Sequence, residues 1–511
     1  MKRIRLFFIN SVVMTVASLL LRTSGVMFNV YIAKKIGVVG MGLIEIINNV
    51  YGFAIILALS GVGLSATRLV AEELAEKSDG GIRVAVRKCI IYGLAFGTVS
   101  AFALFFLSDF AGTVLIKDVR SISSLKVLAI SLPFISVSSA IYGYFTAVRR
   151  IIKGIAAQTI EQVIRIALTV LALNAHSPKD AGEACLIIMT VSSITEILSL
   201  FILLLIFNKD FSRYKKAKSQ TKGILRRLFS IALPVAFSSY VCSALYTIKS
   251  LMIPLGLIKS GMTKDDALGE YGIISGMVIP VIMFPSAFLS AFSSLLVPEV
   301  TECHRLGDYS KIDYILNKVF KATLIFAIAM VGIFLYFHDM FGMVIYESEK
   351  AGLYIRILTP LILIIYLDSM VDAMLKGLNE QVSSMFYNIL DSGAGIVMVY
   401  FLLPLFGIRG LLLVMFVSKL FNMFLSVNRI ITVTGFTFDI KNWLIKPAFC
   451  ICASLFSVRI FAMLMNISMT PSATKLTLLC IPVGILYLIL LYLTDSITKS
   501  DIKLVKTVIS M

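Results

Sequence analysis

Apolar residues run along this chain in long, nearly unbroken blocks, with little of the alternation that marks a helix or strand facing water. Fourteen blocks can be read, near residues 7–33, 41–66, 84–107, 124–147, 155–174, 182–207, 229–257, 268–297, 315–337, 353–377, 383–405, 407–431, 442–465 and 474–494. Most are about as long as a helix needs to cross a hydrocarbon core of roughly 30 Å. The pattern predicts an all-α, polytopic membrane protein with 14 transmembrane helices. An even number of spans puts both termini on one side.

Composition supports that reading. Of the 511 residues, 59% are hydrophobic and only 15% charged, and the mean hydropathy is +0.94. The net charge of +18 raises the question of nucleic acid, but the Lys and Arg residues cluster between apolar blocks. That distribution marks cytoplasmic loops, and no basic soluble domain is long enough to bind nucleic acid. The inward segments then carry most of the basic residues, so both termini are expected in the cytoplasm of a cell-membrane protein. The stretch "NKDFSRYKKAKSQTKGILRR" (208–227) is the longest polar interruption and is expected to be cytoplasmic, Ser219 included, with Ser260 to Asp266 external. Basic loops of this kind also attract anionic membrane lipids. The seven cysteines have no metal-ligand spacing and read as packing thiols. "MKRIR" resembles a signal-peptide start, but the apolar block after it is too long and lacks a cleavage pattern.

The polar interruptions carry an internal echo. Val70, Glu72 and Gly80 of "RLVAEELAEKSDG" recur in order as Val297, Glu299 and Gly307 of "LLVPEVTECHRLGD". Gln158 and Glu161 recur at nearly the same offset as Asn388 and Asp391. The agreement predicts a duplication: an N-terminal six-helix half (1–225) and a C-terminal six-helix half (226–440) related by pseudo-symmetry, with two additional helices and a cytoplasmic tail over 441–511.

A charge in the middle of an apolar span costs at least ~2.5 kcal/mol on insertion scales, so each needs a reason. In the fifth block Gln158, Glu161, Gln162 and Arg165 fall on one helical face, and Glu161 and Arg165 are spaced to pair. Such a stripe is either a neutralised pair between helices or the polar wall of a cavity. The second block carries Glu45, Asn48 and Asn49, the tenth Asp368, Asp372 and Lys376, and the twelfth and thirteenth Lys419 and Arg459. Arg22 in the first block and Lys249 in the seventh hold equivalent places in the two halves. Two cations facing one cavity would draw an anion such as a phosphate or pyrophosphate. Arg22, Lys249, Glu45, Asn49, Gln158, Glu161, Arg165, Asp368 and Asp391 are therefore the candidate substrate-binding residues. Breaks that let helices bend are expected at Gly61 and Gly63 of "SGVG" and at Pro234, Pro254, Pro280 and Pro285. Walker A, zinc-protease and nucleophile-triad patterns are absent, and the chain is read as a non-enzyme.

With its duplicated halves, two extra helices, polar first block and "VAEE…G" and "VPEV…G" repeats, the chain resembles the MOP superfamily of multidrug exporters, lipid II flippases and polysaccharide exporters. Within it the chain looks most like the stage V sporulation protein B branch. Lipid II flippases carry S-R-x-x-G-x-x-R-D in the first span. Here "LRTSGVMFN" keeps Arg22 and Gly25 but has Phe28 and Asn29 at the later positions, so only Arg22 takes over the cavity role. The resemblance implies flipping of an undecaprenyl-(pyro)phosphate-linked saccharide or peptidoglycan precursor by alternating access, in spore-cortex, cell-wall or polysaccharide synthesis. It implies no cofactor, coupling to the membrane potential or a monovalent cation, and cell-wall synthases as partners. A cation-coupled multidrug exporter and a non-transporting scaffold for a synthase are the competing readings. The exporter would favour the acidic Glu45, Glu161 and Asp368. The scaffold would need no buried charge in either half.

Overall fold

The computed structural model describes residues 2–76, 78–176, 178–214, 223–436, 439–465 and 470–497; the side chains described begin at residue 19 and omit 291, 292, 294 and 295. Ser219 and most of the basic stretch around it lie outside the described residues. Within them the chain is helical and has no strand. Sixteen α-helices follow in order: α1 (Lys2–Leu59), α2 (Val62–Ala75), α3 (Asp79–Phe110), α4 (Arg120–Ala147), α5 (Ile151–Ala175), α6 (Ala181–Phe211), α7 (Ile224–Lys259), α8 (Lys264–Tyr271), α9 (Ile279–Met283), α10 (Ser286–Leu306), α11 (Tyr309–Tyr346), α12 (Glu349–Leu358), α13 (Leu361–Gly377), α14 (Gln381–Thr434), α15 (Lys446–Leu464) and α16 (Ala473–Leu493).

Eleven described helices are long and apolar enough to cross a membrane, or twelve when α12 and α13, bent by 55°, are taken as one span. The number falls short of fourteen because two pairs of apolar blocks join. The first pair forms the 57-residue stretch Leu19–Ala75, the second the 54-residue α14. A straight helix of that length would measure about 80–85 Å, far beyond a hydrocarbon core of ~30 Å. Each contains a glycine in the left-handed region, Gly37 with φ 71° and Gly407 with φ 55°. A side chain there would meet its own backbone, so these positions suit glycine.

The other breaks follow local chemistry. α1 stops at Leu59, and Ser60 (φ 42°) and Gly61 (φ 72°) turn the chain into α2, as "SGVG" suggests. Pro285 stands just ahead of α10 and Pro280 at the start of α9, whereas Pro234 and Pro254 are carried inside α7. Helix starts are capped by side chains that satisfy otherwise unpaired N–H groups: Ser78 on Gly81, Asp180 on Glu183, Thr263 on Asp266, Asp308 on Lys311 and Ser348 on Ala351. Large apolar side chains such as Phe106, Phe201, Leu205, Phe401, Leu405 and Phe449 remain more than half exposed, as a lipid-facing surface requires. The chain is a multi-pass membrane protein.

Two compact units divide the chain. One consists of Ile9–Phe28 with Lys35–Gly272, the other of Met1–Phe8, Asn29–Lys34 and Ile273–Met511. The first unit has its core around Leu69, Ile82, Tyr144, Phe145, Leu203 and Phe207. Its α1 and α8 approach backbone to backbone: a Cβ on Gly42 would lie 2.0 Å from the Leu268 carbonyl oxygen, and one on Gly272 would lie 2.2 Å from that of Val38. Only small residues permit such a crossing. Beside it, buried Asp118 in the α3–α4 loop meets Arg120 at 2.8 Å and Lys264 at 3.2 Å, and Arg120 reaches Asp265 at 2.8 Å. Burial pushes the Asp118 carboxyl up, but hydrogen bonds from the Arg120 side chain and backbone and from Lys264 outweigh it and hold the group below the usual carboxylate range.

The second unit holds two clusters. One stacks Phe436 between Phe320 and Trp443, with ring centroids 4.9 and 5.8 Å away, over Ile312, Val371 and Met374. The other packs α15 and α16 on α11 through Ile328, Cys450, Ile451, Val458, Leu479 and Val483, and the Tyr487 hydroxyl donates to the Ile325 carbonyl at 2.9 Å. The two C-terminal helices thus bury one face each on the unit that contains them.

Candidate functional site

The polar stripe of α5 opens into a cavity. Gln158, Glu161 and Gln162 line a space of about 430 Å³ within the first unit, together with Glu196 of α6, Ser138, Ser139 and Tyr142 of α4, and the apolar Leu21, Leu59 and Ile135. The i, i+3, i+4 spacing puts the three α5 side chains on one face, and the facing turns of α4 and α6 supply hydroxyls and a second carboxylate.

Arg165, one turn further along α5, holds the two carboxylates. Its Nη2 donates to Glu161 Oε1 at 2.5 Å and to Glu196 Oε1 at 2.9 Å. The second oxygen of Glu161 accepts from the Ser199 hydroxyl at 2.6 Å. Glu161, Arg165 and Glu196 are mostly enclosed, with side chains 17%, 26% and 22% exposed, and Arg165 Nε is buried without an acceptor among the described residues. The expected pair is therefore a triad, one guanidinium between two carboxylates, with a formal charge of −1 when both acids are ionised. The stripe thus faces a cavity, and its Glu161–Arg165 pair belongs to a triad that keeps one net negative charge. Carboxylates, amides and hydroxyls converging beside an apolar wall can accept and donate hydrogen bonds to a polyhydroxyl group, and the acidic excess also suits a cation.

The remaining candidate residues do not line this cavity. Arg22 is exposed on α1, next to the cavity-lining Leu21, and its guanidinium makes no ion pair or hydrogen bond among the described residues. It is not locked to Glu45, which is half-buried on the same helix. Asn49 donates to the Tyr271 hydroxyl at 3.0 Å, and its carbonyl accepts from Thr247. Lys249 is half-buried on α7. In the second unit Asp368 is half-buried on α13. Asp391 is buried on α14 and accepts from Ser418 at 2.5 Å, while Asn388 accepts from Asn422 at 2.9 Å.

Glu196 was accessible to the same reasoning that found Glu161, since it is the one charged residue between Glu183 and Lys209. Ser138, Ser139, Ser199 and Tyr142 carried no signal, because isolated hydroxyls are common in membrane helices.

Comparison with known proteins decides the family. The model of the polysaccharide biosynthesis protein family matches residues 8–304. The chain belongs to that family. Among its relatives is stage V sporulation protein B of Bacillus subtilis (strain 168), 24% identical over 464 residues that cover 88% of each chain. Sporulation protein YkvU of the same strain is 22% identical over 378 residues, covering 73% of this chain and 83% of that one. In fold the chain is similar to the lipid II flippase MurJ in its inward closed conformation, with TM-score 0.71 and 15% identity over 94% of this chain and 98% of that one. It is also similar to an inward-facing multidrug resistance MATE family transporter of the MOP superfamily, with TM-score 0.63 and 12% identity over 82% and 99%. The expected resemblance to stage V sporulation protein B is thereby found in sequence, and that to lipid II flippases and multidrug exporters in fold. The matched region of this polysaccharide biosynthesis family member contains every residue that lines the cavity.

Proposed function

We propose that this protein is a transporter that flips a lipid-linked oligosaccharide or peptidoglycan precursor across the cytoplasmic membrane by alternating access. The observation that carries the reading is the polar cavity among spanning helices of a polysaccharide biosynthesis family member. Gln158, Gln162, Ser138 and Ser139 offer donors and acceptors to sugar hydroxyls, and Glu161 and Glu196 offer carboxylates that pair well with vicinal hydroxyls. Arg22, exposed and unpaired among the described residues, is assigned the lipid-linked phosphate together with Lys249. Arginine's forked donors suit that role.

In this reading the chain crosses the membrane fourteen times, with the two long helical stretches each folded into two spans at Gly37 and Gly407. The halves run over 1–225 and 226–440, the remaining helices follow over 441–511, and both termini are cytoplasmic. Movement is driven by the membrane potential or a monovalent cation, and synthases of the cell wall receive the product. A second reading, export of an organic cation, rests on one specific observation: the cavity holds two carboxylates against one guanidinium.

Reconstituted vesicles with defined undecaprenyl-linked precursors separate the two. The proposal expects flipping by the full chain, very little by Arg22→Ala and partial activity in Arg22→Lys. Normal flipping by a well-expressed Arg22→Ala protein removes the phosphate role. Transport of organic cations with no flipping of any precursor replaces the proposal by the second reading.

A further inference from the structure

At the ends of α4, α5 and α6 in the first unit, basic side chains gather on one carboxylate. Asp210 is fully buried near the end of α6. It accepts from Arg150 Nη1, from Lys153 Nζ at 2.7 Å and from the Tyr144 hydroxyl at 3.1 Å, and Arg213 stands 3.9 Å away. Arg149 precedes Arg150 in a left-handed conformation (φ 57°), exposed and without an ion pair among the described residues. Arg83 of α3 fastens the same corner by donating to the Tyr214 carbonyl at 2.9 Å and lying 5.0 Å from the centre of the Phe211 ring.

One carboxylate cannot neutralise this set. Arg149, Arg150, Lys153 and Arg213 carry four positive charges against the single charge of Asp210. The arrangement also aims them outward. Asp210 is enclosed, while the side chains of Arg150, Lys153 and Arg213 remain 34%, 36% and 62% exposed. The buried acid thus works as an anchor that holds cationic groups at one level, and their remaining donors face outward. That level is the edge of the apolar surface. Ile152, between Arg150 and Lys153, is 47% exposed, and Leu205, just over one turn before Asp210, is 59% exposed. A ligand suited to this corner has an anionic head and an apolar body.

We infer that the corner formed by Arg149, Arg150, Lys153 and Arg213 binds the phosphate headgroup of an anionic membrane phospholipid. The site lies on helix ends, separate from the cavity residues, and does not depend on the transported substrate. Guanidinium groups pair with phosphate through parallel hydrogen bonds, and each basic residue at an anionic surface contributes ~1 kcal/mol. The apolar neighbours place the acyl chains.

The test uses the full-length protein extracted from nanodiscs and examined by native mass spectrometry, with phosphatidylglycerol or phosphatidylcholine as the probe lipid. Phosphatidylglycerol should remain bound and phosphatidylcholine should not. The variant Arg149→Gln/Arg213→Gln leaves Arg150 and Lys153 to pair with Asp210. It should bind phosphatidylglycerol about thirty-fold more weakly, at ~1 kcal/mol per cation removed, while Arg149→Lys/Arg213→Lys retains most of the binding. Unfolding temperature in lipid-free detergent should be the same for all three proteins. Equal retention of the two lipids, or undiminished phosphatidylglycerol on the glutamine variant, would overturn the inference. Binding of inorganic phosphate as tightly as the lipid would reassign the corner to a soluble anion.

Discussion

Glu161 in α5 and Asp391 in α14 are the two acids that the proposed internal repeat would bring into register, and their surroundings differ. Glu161 shares Arg165 with Glu196 at the side of a cavity. Asp391, only 6% exposed, accepts from the neutral hydroxyl of Ser418, and its neighbour Asn388 accepts from Asn422. The first arrangement is charged, mutually compensating and open to a ligand. The second satisfies a buried acid with neutral donors between packed helix turns. A buried polar position therefore prescribes that a partner must exist and leaves its kind open. Glu161 finds its cation, Arg165, on its own helix and a hydroxyl, Ser199, on α6, whereas Asp391 meets the hydroxyl of Ser418 from beyond the Gly407 break of α14.

The largest effect should come from removing the shared cation. Arg165→Gln leaves two carboxylates close together in a low dielectric and should cost roughly 3–5 kcal/mol of stability. Glu161→Gln leaves the Arg165–Glu196 pair intact and should cost about 1 kcal/mol. The double variant should be less damaged than Arg165→Gln alone, a coupling that a double-mutant cycle of thermal unfolding in nanodiscs reads directly. Equal and additive losses would show that the three groups do not act as a unit.

A similar contrast holds outside the membrane. Asp118 in the first unit is buried among Arg120 and Lys264. Glu380 in the second is 22% exposed and meets Arg429 at 2.8 Å. The Arg429 and Ser383 hydrogen bonds hold the Glu380 carboxyl below its usual range, as the loop contacts do for Asp118. A depressed carboxylate contributes stability that is fully present above its unfolded pKa, ~3.9 for Asp and ~4.3 for Glu, and is lost as pH falls through the lower folded value. Both pairs should therefore weaken only below about pH 4. Asp118→Asn should cost about 3 kcal/mol at neutral pH and flatten the acid limb of a stability–pH curve. Glu380→Gln should change stability by about 0–1 kcal/mol. A larger loss in Glu380→Gln than in Asp118→Asn would reverse the ranking by burial.

Between these lies Ser418→Ala, which strips buried Asp391 of its donor and should cost about 1–3 kcal/mol. Asp391→Asn keeps an acceptor for Ser418 and should cost less than 1 kcal/mol. Transport should survive Asp391→Asn better than Glu161→Gln, since only Glu161 lines the cavity. The opposite order would move the candidate site into the second unit.

Much of this protein follows from the sequence alone, because a bilayer leaves a spanning chain few choices. With no water to bond the backbone, apolar blocks of this length must be helical, and the i, i+3, i+4, i+7 spacing of Gln158, Glu161, Gln162 and Arg165 must fall on one face. The Glu161–Arg165 pair and the break at "SGVG" were legible for that reason. Tertiary structure decided what touches that face. Glu196 joins the pair from another helix, Tyr142, Ser138 and Ser139 complete the wall, and Arg165 becomes the centre of a triad. No sequence signal marks Gly42 as a crossing point, yet a Cβ on Gly42 would strike the Leu268 carbonyl, while one on Gly25, which the first-span motif does mark, meets nothing within 4 Å. Spacing along one helix is fixed by covalent geometry. Contact between helices is fixed by which backbones can approach and which buried charges find partners there, and no local pattern encodes it.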